Sequence, residues 1–173
     1  MLMAAPPLLE AVEAAMGDEN REEVRLILLT PQGRVYDQRL AGEFAGEKHL
    51  ILVCGHYKGI DERFVELLQP EEISLGDFTL TGGEIPAMAV VDSIVRLLPD
   101  AVGGFGSVEE DSFYRGLLDC PRYTRPRAVR GIEVPAVLLG GNHEKIEGWR
   151  KRMAAEMTRR KRPDLLEKKD SEN

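Results

Sequence analysis

Three stretches of this 173-residue chain hold residue types that could do chemistry. The first is Cys54-Gly55-His56-Tyr57-Lys58-Gly59-Ile60-Asp61-Glu62-Arg63. Gly55 lets backbone approach a ligand closely, and Tyr57 offers an aromatic face. A strand–glycine–helix turn is a common arrangement, so a ligand site and a plain structural turn both stand open. The second stretch runs from Ser74 to Pro86, SLGDFTLTGGEIP. Glycines there expose backbone N–H and C=O groups, and a proline stiffens the exit. Main-chain groups displayed in this way suit the edge of a flat heterocycle such as adenine, although a rigid corner is an equal reading. The stretch lacks the Gly-Lys-Ser/Thr ending of a phosphate loop, and Gly82-Gly83 has no third glycine to make a dinucleotide fingerprint. The third stretch is Glu109-Glu110-Asp111-Ser112-Phe113, continued by Gly116 to Pro126. Its carboxylates stand near Arg122, Arg125, Arg127 and Arg130. That mixture suits a polyanion from which a base must remove a proton. The alternative is a surface loop of scattered ion pairs that contribute little. His56 and His143 are weaker candidates for the base, because a neutral hydrogen-bonding histidine is the usual case.

The first two stretches begin where a strand is expected to end. Val24 to Thr30 (VRLILLT) reads as a buried strand stopped by Pro31, and Lys48 to Cys54 (KHLILVC) as a second, ended by Gly55. Helices are expected over Pro6 to Met16, over Asp37 to Phe44 with Asp37 as cap, and over Asp61 to Leu68. Ile85 to Leu98 reads as an amphipathic helix with proline in its first turn. Ile73 to Glu84 is a strand, turn and loop. Asp100 to Ser107 is glycine-rich, and Asp111 to Arg130 is an irregular loop. Val134 to Leu139 reads as a last strand. Asn142 to Met157 is a helix capped by Asn142, and the polar residues beyond Arg162 read as disordered. Buried strands alternating with helices predict an α/β fold with a mostly parallel sheet. Ligands of such folds sit at the carboxyl ends of strands, here Thr30-Pro31, Cys54-Gly55 and the Leu75 to Gly83 loop.

Composition bounds the rest. Hydrophobic residues make up 43% of the chain, enough for a real core, and charged residues 31%. The longest apolar runs are too short to cross a bilayer, and the N-terminus lacks the basic start of a secretion signal. Two cysteines suffice neither for a disulfide framework nor for a four-thiolate zinc site; they read as reduced thiols of a cytoplasmic protein. Net charge is −7. From Lys145 to Lys169, however, ten basic residues face four acidic ones, against 13 and 26 elsewhere. An acidic body with a basic arm could meet phosphate; a solvated helix face is the plainer reading.

The strings GHYKGIDER, SLGDFTLTGGEIPAM, EDSFYRGLLDCPRYTRP and VPAVLLGGNHEKIEGWR closely resemble the bacterial tRNA (guanine-N1)-methyltransferase family, TrmD. The likeness runs from about Met1 to Leu166. It implies a SPOUT-class fold, a parallel sheet with helices on both faces and a deep trefoil knot, which no periodicity would have suggested. It implies S-adenosyl-L-methionine as cofactor, tRNA as partner, and a homodimer whose active site combines both subunits. It carries cofactor binding to Leu29, Thr30, Pro31, Gly55 and Tyr57. The same role falls on Leu75, Gly76, Asp77, Phe78, Thr79 and Leu80, and on Gly82, Gly83 and Pro86. Asp111 matches the family's general base and Arg96 the residue that assists it. Lys58 stands where many relatives have glutamate, and Phe78 where tyrosine is frequent. The implied reaction is methylation of guanine N1 at the tRNA position 3′ of the anticodon. N1 carries a proton and is a poor nucleophile, so a base and a partner for the developing O6 anion are both required. Against the family pattern the chain reads as shortened at both ends. The methyltransferase domain is expected over 1–158 without the family's first strand, and a basic, disordered tail over 159–173 where a helical domain would follow. A donor-binding or dimerisation module without catalysis is the main alternative, and an unrelated nucleotide-binding α/β domain a weaker one.

Overall fold

The computed structural model describes residues 1–99, 101 and 111–171, with side chains described through 167. The chain divides into two compact units, Met1–Gly103 and Gly104–Asn173.

The first unit is built around strand β1, Arg25–Val35. Successive side chains of a strand point to opposite faces, and here both faces are apolar. Leu26 and Leu28 join Val53, Ala5, Val12 and Phe64 on one side. Ile27 and Leu29 join Leu40, Phe44, Ile73, Val90 and Ile94 on the other. A strand covered on both faces reads as an unbroken hydrophobic run, as Leu26-Ile27-Leu28-Leu29 does. Its neighbours are β2, Leu50–Cys54, and β3, Glu71–Ser74. Both run parallel to it, in the order β2-β1-β3. Helices α1 (Ala5–Met16) and α3 (Glu62–Leu68) cover the first face. Helices α2 (Gln38–Ala45) and α4 (Glu84–Val95) cover the second. Asp37 and Asp61 cap α2 and α3 as expected, each accepting a backbone N–H at 3.1 Å.

Two expectations are corrected in this unit. Pro31 does not stop β1. Leu29 and Arg34 both align with Ile73, so residues 30–33 leave the ladder and pairing resumes at Arg34. Pro31 falls in the unpaired part, where its missing N–H costs no ladder bond. Gly33 makes the return possible, because a Cβ there would collide with the backbone of Glu72 and Ile73. Helix α4 is not amphipathic either. It buries Val90 and Ile94, yet Ile85, Met88, Val91 and Val95 are exposed, Met88 by 71%. It has two apolar faces, and the unit covers one.

In the second unit a hairpin of β4 (Ala128–Val129) and β5 (Ile132–Glu133) turns at Arg130-Gly131. Both turn residues have positive φ, 50° and 82°, which suits the twist of a tight hairpin. The strand expected over Val134 to Leu139 is instead a short helix, α5, Ala136–Leu139. Pro135 lacks an N–H for a strand ladder, and its carbonyl accepts the Leu138 N–H at 3.0 Å. Helix α6, His143–Lys161, starts at its expected cap, where Asn142 accepts the Lys145 N–H at 3.1 Å. The tail expected to be disordered is helical: α6 runs past Met157, and α7 covers Asp164–Ser171. The Arg162 guanidinium donates to the Asp164 carboxylate at 2.9 and 2.7 Å, tying down the start of α7. Buried Thr158 accepts the Leu118 N–H at 2.9 Å and donates to the Ala154 carbonyl at 2.7 Å, which anchors the irregular loop to α6. The glycine-rich stretch read over Asp100 to Ser107 lies, Ala101 apart, outside the described residues. Among the described residues no helix is long and apolar enough to cross a membrane.

Candidate active site

The carboxyl ends of the three parallel strands open on one cavity of 440 Å³ within the first unit. The unpaired bend of β1 supplies Thr30, Pro31 and Gln32, with Leu29 behind them. The turn after β2 supplies Gly55, Tyr57 and Lys58. The loop from β3 to α4 supplies Leu75, Gly76, Phe78, Thr79, Leu80, Gly82 and Gly83, and Pro86 closes the wall from the first turn of α4. Of the residues expected to hold a cofactor, Asp77 stands outside this lining, with an exposed position on the loop.

Close backbone contact sets the shape. The Gly83 N–H donates to the Gly55 carbonyl at 2.8 Å, and a Cβ on Gly83 would lie 2.6 Å from the Cys54 Cα. Two loops therefore meet back to back, and glycine is a steric requirement there. Beside them His56 and Gly82 form an antiparallel bridge, with the His56 imidazole 3.2 Å from the Glu84 carboxylate. At the other end Gly76 takes φ +146°, and the Ser74 hydroxyl bonds to both its N–H and its carbonyl at 3.1 Å. The turn after β2 is held from below by the first residues of the chain. Met3 N–H donates to Gly59, Lys58 N–H to Met1 and Asp61 N–H to Met3, at 3.0, 3.2 and 2.9 Å. Tyr57 sits at φ 62°, a left-handed conformation that this pinned turn sustains.

Several lining residues were missed from sequence. Gln32 is hidden in the sequence because Pro31 there marks the end of the strand. Val65 comes from α3, beside Glu62 of the first motif, and Glu72 from β3. Their only signal was closeness in sequence to strand ends. The fixed charges on the wall are Lys58, Glu62 and Glu72, a balance that favours a ligand carrying positive charge. Burial pushes the Cys54 thiol up, and Glu84 pushes it in the same direction. A thiol held protonated is a wall group and not a nucleophile. Asp61 is committed to Arg63: the guanidinium bonds at 2.9 and 2.5 Å and the Arg63 N–H hold its pKa down to about 2.

Arg96 follows α4, and its N–H donates to the Asp92 carbonyl at 3.1 Å. Asp111 belongs to the second unit and is half-buried. Its motif neighbours Glu109 and Glu110 lie outside the described residues. The other carboxylate of this loop, Asp119, is fully engaged. Burial works to raise its pKa, but hydrogen bonds from Arg122 and the Cys120 N–H, at 2.9 and 2.6 Å, outweigh that and hold it below the ordinary carboxylate range. An aspartate held in this way is a poor proton acceptor and a good structural anchor.

The model of the tRNA (Guanine-1)-methyltransferase TrmD family matches residues 1–168. Among curated proteins, the chain is 52% identical over 166 residues to a tRNA (guanine-N(1)-)-methyltransferase of Moorella thermoacetica, which covers 96% of this chain and 66% of that protein. Identity to the protein of the same name from Geobacter sulfurreducens is 51% over 168 residues, with 97% and 68% covered. For that from Listeria innocua it is 49% over 166 residues, with 96% and 68% covered. The chain spans about two thirds of the length of these relatives.

Proposed function

The chain belongs to the tRNA (guanine-1)-methyltransferase TrmD family, and from that premise we propose that it methylates guanine N1 at the tRNA position 3′ of the anticodon, with S-adenosyl-L-methionine as donor. One observation carries the reading: the motif residues of three separate segments line a single cavity at the strand ends. Its volume lies within the range of roughly 300–1,000 Å³ usual for small-molecule sites. The wall suits the donor chemically. Exposed main-chain groups of Leu75 to Leu80 can bond an adenine edge, Tyr57 and Phe78 offer aromatic faces, and Glu62 and Glu72 complement positive charge. When bound, the donor supplies a sulfonium methyl group, already a good electrophile.

The protein's own work is to hold the acceptor and move one proton. Asp111 takes the proton from guanine N1, and Arg96 faces O6 with a planar fork that stabilises the anion. Asp119 keeps the Arg122 segment in place. We assign the first unit to the SPOUT class with its trefoil knot, on family membership and on the parallel sheet whose strand-end loops close on one cavity. We assign a homodimer on the second apolar face of α4, which a partner would cover. The basic residues of α6 suit tRNA phosphates, and the place of action is the cytoplasm.

The test is single-turnover transfer of a labelled methyl group to an anticodon stem-loop RNA with guanine 3′ of the anticodon. Label on N1 of that guanine is the expected result. Donor binding without transfer would reduce the protein to a donor-binding module, and absence of both would overturn the reading.

A further inference from the structure

The proposed donor carries three charges: a sulfonium, an α-ammonium and an α-carboxylate. Glu62 and Glu72 are the two carboxylates on the cavity wall. Among the described residues Lys58 is the one fixed cation on the cavity wall, and its ammonium forms no ion pair with any of them. His56 on the same turn is already engaged with Glu84 at 3.2 Å. The Cα of Lys58 is also well placed to hold a charge at a fixed point of the rim. Its N–H bonds to the Met1 carbonyl at 3.2 Å, Gly59 N–H bonds back to His56 at 3.2 Å, and Tyr57 and Gly59 both adopt positive φ, 62° and +128°.

Resting on the proposed donor, we propose that Lys58 recognises the α-carboxylate of its amino-acid tail. The cavity then discriminates between ligands that carry this carboxylate and those that lack it. The ion pair is exposed to water, so its contribution is that of a screened charge-assisted hydrogen bond, about five-fold in affinity.

Calorimetry with S-adenosylmethionine and decarboxylated S-adenosylmethionine tests this directly, because the two ligands differ by the carboxylate alone. The full chain should bind the intact donor about five-fold more tightly. In Lys58→Met, which keeps most of the alkyl stem, that gap should close through weaker binding of the intact donor, with the decarboxylated form unchanged. Lys58→Arg should keep the gap, and Lys58→Glu should invert it. Equal weakening of both ligands by Lys58→Met would mean that Lys58 only shapes the turn, and an unchanged gap would place the carboxylate elsewhere; either result overturns the proposal. A wild-type chain that binds neither ligand would instead overturn the cofactor assignment itself.

Discussion

At the scale of single residues, the two aspartates of the third motif are expected to separate cleanly. Asp111→Asn keeps size but cannot accept the N1 proton, so methyl transfer should fall by roughly 10²–10⁴-fold with little change in donor affinity. Asp119→Asn should instead lower the melting temperature, because it weakens the bonds to Arg122 and Cys120. Arg96→Lys should slow transfer, since a point charge replaces a fork. Near-normal transfer in Asp111→Asn together with lost transfer in Asp119→Asn would falsify the assignment. Asp61 makes a pH prediction. Its pKa of about 2 lies below the unfolded value, so its stabilisation of the start of α3 is present above about pH 4 and is lost as pH falls through 2. A carboxyl NMR titration that places Asp61 near 4 would contradict this. Gly83 was legible from its motif as a residue of the strand-end cavity, but its reason was not. The sequence suggests that glycine there exposes main-chain polar groups, whereas the structure shows a close backbone approach to Cys54. Gly83→Ala should therefore lose stability along with donor binding, and a variant that loses binding alone would argue against the packing role.

At the scale of elements, what could be read depended on whether the deciding contact was local. Caps were legible because an aspartate or asparagine acts on an N–H two or three residues away. Asn142→Ala should thus cost about 1 kcal/mol in urea unfolding, while Asn142→Asp should be nearly neutral; equal losses in both would deny the cap. The double-faced burial of β1 was also legible, since four apolar residues in a row, Leu26 to Leu29, leave a strand no polar side. The passage of β1 through Pro31 was not, because it depends on Gly33 meeting a strand some forty residues on. Val134 to Leu139 failed for a similar reason: β-branched and aliphatic residues do not distinguish a short strand from one helical turn. The apolar content of α4 suggests one face toward the core. Residue spacing alone could not show that two faces were present and only one had a partner within the unit.

At the scale of the whole molecule, the unpartnered face of α4 makes association the expected state. Light scattering should show a dimer at micromolar concentration, and Met88→Glu should drive it toward monomer with a melting temperature that no longer depends on concentration. A wild-type monomer would contradict the homodimer. The α/β class and the strand-end cavity were legible because hydrophobic periodicity and glycine placement both mark the ends of strands. The division at Gly103 was not, since it depends on where contacts cease and not on any run of residue types. Charge follows that division: the first unit holds eight basic and 18 acidic residues, the second 15 and 12. An isoelectric point near 5.1 therefore describes neither unit. On a purification bench such a protein should be retained by an anion exchanger through its first unit and still bring cellular RNA with it through its second, so that the eluted peak absorbs at 260 nm until a high-salt or heparin wash strips the nucleic acid away.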